Sequence, residues 1–327
     1  MSGLDADLII IGAGPAGLTA AQYGARANLK VLVIEQFGFG GQALSIDVLE
    51  NYPGNVGQFD AEGNMLSGPK SGYDFSQDLH RQAESFGASF SSGSVTSLKK
   101  DEYFLVDLSD GKTLSAYAVI IATGSKPRPL DIPGEKEFTG RGVSYCATCD
   151  GNFFRGKKIL VVGGGDAACD EARYLSRLTT KVLLIHRRDS FRAQKALVER
   201  TLGNPNIKIR FNTTIREIRG EQKVKSVLLA DTKTGEVYEE ETDAVFILAG
   251  TVPQSSLVSG NGLKTELDEN GYIITDQKMA TNIPGLFAAG DVRSGVFRQI
   301  VTAAADGAVA ANNAAEYIDE IIYRTKN

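Results

Sequence analysis

Residues 7–35 and 158–186 repeat one pattern, and no other feature of the chain restricts its fold as strongly. In the first stretch an apolar run, 7–11, reads as a buried strand and leads into Gly-x-Gly-x-x-Gly at 12–17. A helix is predicted over 18–27 and a second strand over 30–34, ending at Glu35. In the second stretch the strand is 158–162, the turn 163–168, the helix 169–178 and the next strand 181–185. Glu35 stands 18 residues after Gly17, and His186 stands 18 residues after Ala168. A strand–turn–helix–strand unit of this length builds a parallel sheet, which places the chain in the α/β class. Gly12 allows the tight turn, Gly14 lets a pyrophosphate reach the backbone, and Gly17 lets the helix sit close on the strand. The helix N-terminus offers unpaired N–H groups and a dipole that favours an anion. A glycine-rich packing turn is the alternative, and it leaves the strands, helix and acid in register unexplained.

The two copies differ where the second strand ends. Glu35 can accept hydrogen bonds from free ribose hydroxyls, but its charge would repel a 2′-phosphate. The second copy carries His186, Arg187, Arg188 and, further on, Arg192, and arginine suits that phosphate. NADPH is therefore assigned to the second site. A solvated basic turn is the alternative reading, and His186 taken alone is more commonly a packing residue.

Between the repeats lies Cys146-Ala-Thr-Cys149-Asp150. Two thiols at this spacing can close a small disulfide, hold two electrons and pass them on by thiol–disulfide exchange. A zinc site built from these two, Cys169 and a histidine is possible by count, but a second paired-ligand motif is missing. Cys169, among small residues in the second helix, reads as a buried packing cysteine.

The 327 residues allow about two domains, each with ample core. The net charge of −5 argues against a nucleic-acid surface. The N-terminus carries Asp5 and Asp7 where a secretory leader needs basic residues, and the apolar run 8–21 is too short to span a membrane. Only three cysteines fit a reducing cytoplasm. Residues 58–69 read as a surface loop. A helix is expected over 73–87, with Phe75, Leu79, Ala83 and Phe86 on one face and His80 at the surface. Short strands are expected over 90–111, 118–124, 206–246, 243–250 and 285–292. Three prolines make 126–133 a linker, with its return at 250–253. A helix from near 298 through 303–311 and a second helical stretch, 314–323, close the chain.

Taken together, the motifs at 12–17, 40–42, 50–54, 122–124, 146–150, 163–168, 186–193 and 285–292, with Arg298-Gln299, resemble those of low-molecular-weight (bacterial-type) thioredoxin reductases. These belong to the FAD/NADPH-dependent pyridine nucleotide-disulfide oxidoreductases, and the resemblance covers essentially the whole chain. It implies two Rossmann-like, three-layer ββα domains: a discontinuous FAD domain, 1–124 and 250–327, and an inserted NADPH domain, 125–249, that swivels about its linkers. It also implies a homodimer with thioredoxin as the protein substrate; no metal is expected, since a second paired-ligand motif is missing.

By the same resemblance, FAD is held by Gly12, Gly14, Pro15, Ala16, Glu35 and Gln36 of the first repeat. Gly41, Gln42, Asn51 and Val95 follow, then Ala122, Thr123 and Gly124. Gly290, Asp291, Arg298, Gln299 and Ile300 complete that site. NADPH is held by Gly163, Gly165, Asp166 and Ala167 with His186, Arg187, Arg188 and Arg192. The catalytic residues carried over are Cys149 beside the flavin, Cys146 as the thiol that attacks thioredoxin, and Asp150 as acid/base. Residues 58–69 are longer than the family's usual connection, and Thr251-Val-Pro-Gln254 replaces its more usual Pro-Asn-Thr.

Overall fold

The computed structural model describes residues 3–260, 263–295 and 297–326, with side chains through Tyr323. The chain divides into two compact units, Met1–Lys126 with Val252–Asn327 and Pro127–Thr251.

The first unit is built on five parallel strands in the order Leu286–Ala288, Ala118–Ile121, Leu8–Ile11, Val31–Glu35 and Ser89–Ser92. Successive side chains of a strand point to opposite faces. Leu8 and Ile10 therefore pack, with Val31 and Val33, against Leu18 and against Ala303, Ala310, Ala314 and Ile318. These residues lie on the helices Pro15–Arg26 and Ile300–Lys326. Ile9 and Ile11 pack the other way, with Ile34 and Val119, onto Leu98, Phe104 and Val106. That face is covered by an antiparallel meander of Val95–Lys100, Phe104–Leu108 and Thr113–Ala116. Strands buried on both faces need apolar residues at every position, which is why 8–11 and 118–121 are unbroken aliphatic runs. The helix Gly72–Ser85 begins at Ser71, whose hydroxyl accepts the Asp74 N–H at 3.0 Å.

The second unit repeats the architecture. Its parallel strands run Val143–Ser144, Ala244–Leu248, Ile159–Gly163, Val182–Ile185 and Ile207–Arg210. Val161 and Phe246 face Ala168, Ala172 and Leu175 of the helix Asp166–Ser176. Leu160, Val162 and Val245 face Val227 and Leu229 of a second meander, Thr213–Gly220, Val224–Asp231 and Val237–Glu241. Both units are thus three-layer ββα folds of the Rossmann type.

Several local expectations need correction. Both nucleotide-turn helices start three residues earlier than expected, at Pro15 and Asp166, because the last residues of each turn already form the first helical turn. The C-terminal segment is one helix, Ile300–Lys326, with no break. Asn313, a weak helix former at the expected break, donates from Nδ2 to the Val309 carbonyl one turn back (2.8 Å), and the Asn312 amide reaches Glu316. Residues 58–69 are not all loop: Gln58–Phe59 and Met65–Ser67 pair as a short exposed hairpin, closed by Asp60, which accepts from the Asn64 N–H. His80 packs inward, its ring stacked on Phe39 and edge-on to Phe90. Phe86, expected on the apolar face, is exposed. An additional helix, Lys195–Leu202, follows the arginine cluster. The two connecting segments are extended, Ser125–Pro127 running beside Thr251–Pro253 as a two-strand ladder.

Candidate active site

In the first unit the glycine turn sits at the carboxyl end of the Leu8–Ile11 strand. Gly12 takes φ +103°, and a Cβ there would meet the Ala122 carbonyl oxygen at 2.4 Å, so only glycine fits. Gly14 is different: a Cβ there would have no neighbour within 4 Å, and no side chain caps the helix it opens. A Cβ at Gly14 would thus point away from its neighbours, and the helix N–H groups that follow Pro15 have no side-chain cap, the environment a phosphate needs. The Glu35 carboxylate accepts the Ala13 N–H at 2.7 Å and the Phe37 N–H at 2.9 Å, so it is fixed beside the turn with lone pairs to spare.

Other expected residues gather around this turn. Gly41 lies against Gly14, and a Cβ at Gly290 would come 2.9 Å from that of Ala16. The Gln42 amide donates to the Ser125 carbonyl at 2.8 Å, next to Gly124. Asn51 donates to Gln299 at 2.9 Å, just before the helix that starts at Ile300. Burial pushes the Asp291 carboxyl up, opposed by Arg298. The Arg298 guanidinium lies 3.9 Å over the Tyr272 ring, and its Nε is buried with no hydrogen-bond partner among the described residues. Ala122 and Thr123 follow the end of the parallel strand Ala118–Ile121, Val95 opens the meander strand Val95–Lys100, and Gln36 is exposed beside Glu35. Sequence reasoning missed Asp306 and Tyr272. The Asp306 carboxylate accepts from the Gly290 N–H and from Arg293, both at 3.2 Å, and so anchors the Gly290–Asp291 turn to the last helix. An acid nearly two turns into an alanine-rich helix is the signal that could have found it. These residues fit an adenine dinucleotide whose ribose is unphosphorylated.

The second unit carries the matching turn. Gly165 opens the helix Asp166–Ser176, again with no side-chain cap and no atom within 4 Å of a Cβ. Asp166 is turned aside and accepts from the Gln194 backbone and side-chain amides at 2.8 and 2.7 Å, and Ala167 is exposed beside it. Gly163 is buried at the strand end. His186 is 5 % exposed, and its ring closes over Gly164, where a Cβ would lie 2.2 Å from Nδ1. Burial and then Arg192, Arg187 and Arg188 push its pKa down, so the imidazole stays neutral at pH 7. It thus packs behind the glycine turn, while the three exposed arginines supply the charge beyond the strand end.

Cys146 and Cys149 are joined by a disulfide, with 5.4 Å between their Cα atoms. Cys146 caps, and Cys149 lies within, a one-turn helix, Ala147–Asp150, which follows the edge strand Val143–Ser144. The Cys149 N–H donates to the Cys146 sulfur at 3.2 Å, and the Thr148 hydroxyl lies 3.4 Å from it. Cys149 is exposed and Cys146 half-buried. The neighbouring Tyr145 hydroxyl donates to Glu135 at 2.7 Å; Glu135 is buried and also accepts the Leu130 and Ile132 N–H groups. Cys169 is a free, buried cysteine, and burial pushes its thiol up. Among the described residues no cluster of three or more His, Cys, Asp or Glu could hold a metal ion, and no helix is long and apolar enough to cross a membrane.

Residues 6–307 match the family model for pyridine nucleotide-disulphide oxidoreductases. A thioredoxin reductase of Treponema pallidum is 53% identical over 97% of this chain and 98% of its own. One of Bacillus subtilis is 44% identical over 96% and 95%. The crystal structure of Lactococcus lactis thioredoxin reductase superposes with a TM-score of 0.90 at 42% identity, covering 97% of this chain and all of that one. With a paired glycine-turn architecture, an acid in one copy, arginines in the other and a disulfide between the two copies in sequence, the chain belongs to the pyridine nucleotide-disulphide oxidoreductases and, among them, to the low-molecular-weight thioredoxin reductases.

Proposed function

We propose that this protein is an NADPH-dependent thioredoxin-disulfide reductase, passing electrons from NADPH through FAD and the Cys146–Cys149 disulfide to oxidised thioredoxin. The observation that carries this reading is a disulfide three residues wide within the same compact unit as the arginine-flanked nucleotide turn. FAD is assigned to residues 1–124 and 250–327, on Gly14, Glu35 and the Gly290–Asp291 turn, and NADPH to residues 125–249. When bound, the flavin supplies a two-electron carrier between the nicotinamide and the disulfide.

The chain's own residues then account for the thiol chemistry. Opening the disulfide leaves negative charge on sulfur, and the hydrogen-bond donors near the pair point at Cys146. A thiolate is stabilised by such donors, so Cys146 is the nucleophile that attacks the thioredoxin disulfide. Cys149 then attacks Cys146 in the mixed disulfide, releasing reduced thioredoxin and restoring the pair. Asp150, at the end of the same turn, exchanges the proton. The protein acts in the cytoplasm and as a homodimer.

The test is NADPH oxidation coupled to thiol release from oxidised thioredoxin; no release would overturn the reading. Within that assay Arg188→Ala should raise the KM for NADPH about 10- to 100-fold, the loss of one charge-assisted contact to phosphate, and leave the KM for NADH unchanged. An equal effect on both nucleotides would move the 2′-phosphate elsewhere.

A further inference from the structure

The thiol chemistry above makes no use of one ionisable group that touches the redox turn. Glu171 lies on the helix Asp166–Ser176, and its Oε2 accepts the Ala147 N–H at 2.8 Å. Ala147 is fully buried and stands between the two cysteines. The same helix packs on the end of the turn: a Cβ at Gly151 would meet Leu175 at 2.8 Å and Tyr174 at 3.3 Å, and Asn152 reaches the Tyr174 hydroxyl at 3.5 Å. The helix that opens at the second glycine turn therefore grips the cysteine turn by apolar packing and by a single carboxylate.

We propose that Glu171 is a positioning residue that holds the Cys146–Cys149 turn through Ala147 and takes up a proton from water when the disulfide is reduced. The proposal builds on the reading of that disulfide as the redox centre. Reduction adds two electrons and breaks the S–S bond; one sulfur keeps a negative charge and the other takes one proton. The new anion appears on the turn that the carboxylate already contacts. Two like charges at close range in a half-buried site resist joint ionisation, so one of them gains a proton.

Burial has already pushed the Glu171 carboxyl up to about 7; the Ala147 N–H opposes that shift and Asp170 adds to it. The charged group that acts on it is Asp170, next to it on the same helix and itself paired with Arg173 at 3.3 Å. In the dithiol form the carboxyl titrates at still higher pH. Between the two values, reduction takes up one proton more than the thiols alone require. Below both values Glu171 is neutral in either redox state and adds no pH dependence; above both it is charged in either state and again adds none.

The experiment equilibrates the FAD-loaded protein with dithiothreitol from pH 6 to 9 and counts free thiols after acid quench and alkylation. Glu171→Gln keeps an oxygen for the Ala147 N–H but carries no charge. Its reduction equilibrium constant should match the parent's at pH 6 and exceed it progressively above pH 7, reaching about tenfold for each pH unit by which reduction shifts the carboxyl. The reduced variant should also react with iodoacetamide about three- to tenfold faster at pH 8, since removing an anion lowers a nearby thiol pKa. Glu171→Ala should show the same pH effect and in addition lower kcat with thioredoxin, because the turn loses its anchor. A variant-to-parent ratio that stays flat with pH overturns the proton uptake. Unchanged kcat in Glu171→Ala overturns the positioning role. A parent that equilibrates its thiols normally yet fails to reduce thioredoxin would instead reject the proposed substrate, leaving the Glu171 result readable.

Discussion

Cys146→Ser should abolish thioredoxin reduction, leaving less than about 0.1% of the parent rate, because a group that forms the covalent intermediate has no substitute. The flavin and nicotinamide sites proposed here involve other residues, so the variant should still purify with FAD and still oxidise NADPH with a small artificial acceptor. The serine hydroxyl fits the cysteine's place, and the Cys149 N–H retains an acceptor, so folding should be intact. Cys149→Ser separates the two roles. With Cys146 still able to attack, it should trap a stable mixed disulfide with thioredoxin, visible as a covalent adduct that dithiothreitol releases. If instead Cys146→Ser forms the adduct and Cys149→Ser does not, the two cysteines have exchanged roles, and the donors at Cys146 serve only the oxidised turn.

Much of this arrangement was legible in the chain because it depends on local patterns. The duplicated glycine turns, the aliphatic strands at 8–11 and 118–121, and the contrast between Glu35 and Arg187-Arg188 each lie within a few residues of sequence. What escaped was set by contacts between distant segments. His80 looks like a surface residue on its own helix, and only Phe39 and Phe90, from other segments, draw it inward. Asp306 lies in a helix that reads as alanine-rich packing, and its link to Gly290 spans 16 residues of chain. Glu171 is one acid in a run of two, Asp170-Glu171, and periodicity cannot say which of them turns under the cysteines. The unbroken last helix was missed because asparagine is a weak helix former, a local cost that packing of Ala303, Ala310, Ala314 and Ile318 on the sheet overrides.

The largest effect on the fold itself is expected at Gly17. A Cβ there would sit 1.9 Å from the Gly12 carbonyl oxygen and 3.0 Å from its carbon, and both are backbone atoms that cannot swing away. Gly17→Ala must lift the helix Pro15–Arg26 off the strand, away from Val31 and from the helix Ile300–Lys326 that packs on it. Forced overpacking of this kind costs about 3 kcal/mol or more. For a unit near 200 residues that corresponds to a Tm roughly 6–12 °C lower, with further loss as FAD no longer stabilises the folded form. Gly14→Ala is the discriminating companion. Its φ of −70° suits any residue, and the new methyl meets no atom within 4 Å. The flavin-free protein should therefore melt within about 2–4 °C of the flavin-free parent, consistent with a change under 1 kcal/mol. FAD affinity should nevertheless fall at least tenfold, because the methyl enters the space where the backbone must approach the pyrophosphate. Flavin absorbance after dialysis and calorimetry of both forms would measure the two effects separately. A Gly14→Ala protein that keeps its flavin would show that the phosphates do not rest on this helix terminus, even if Gly17→Ala unfolds as expected. Loss of flavin in Gly14→Ala with an unchanged melting point would assign one glycine of the turn to the ligand and the other to the fold.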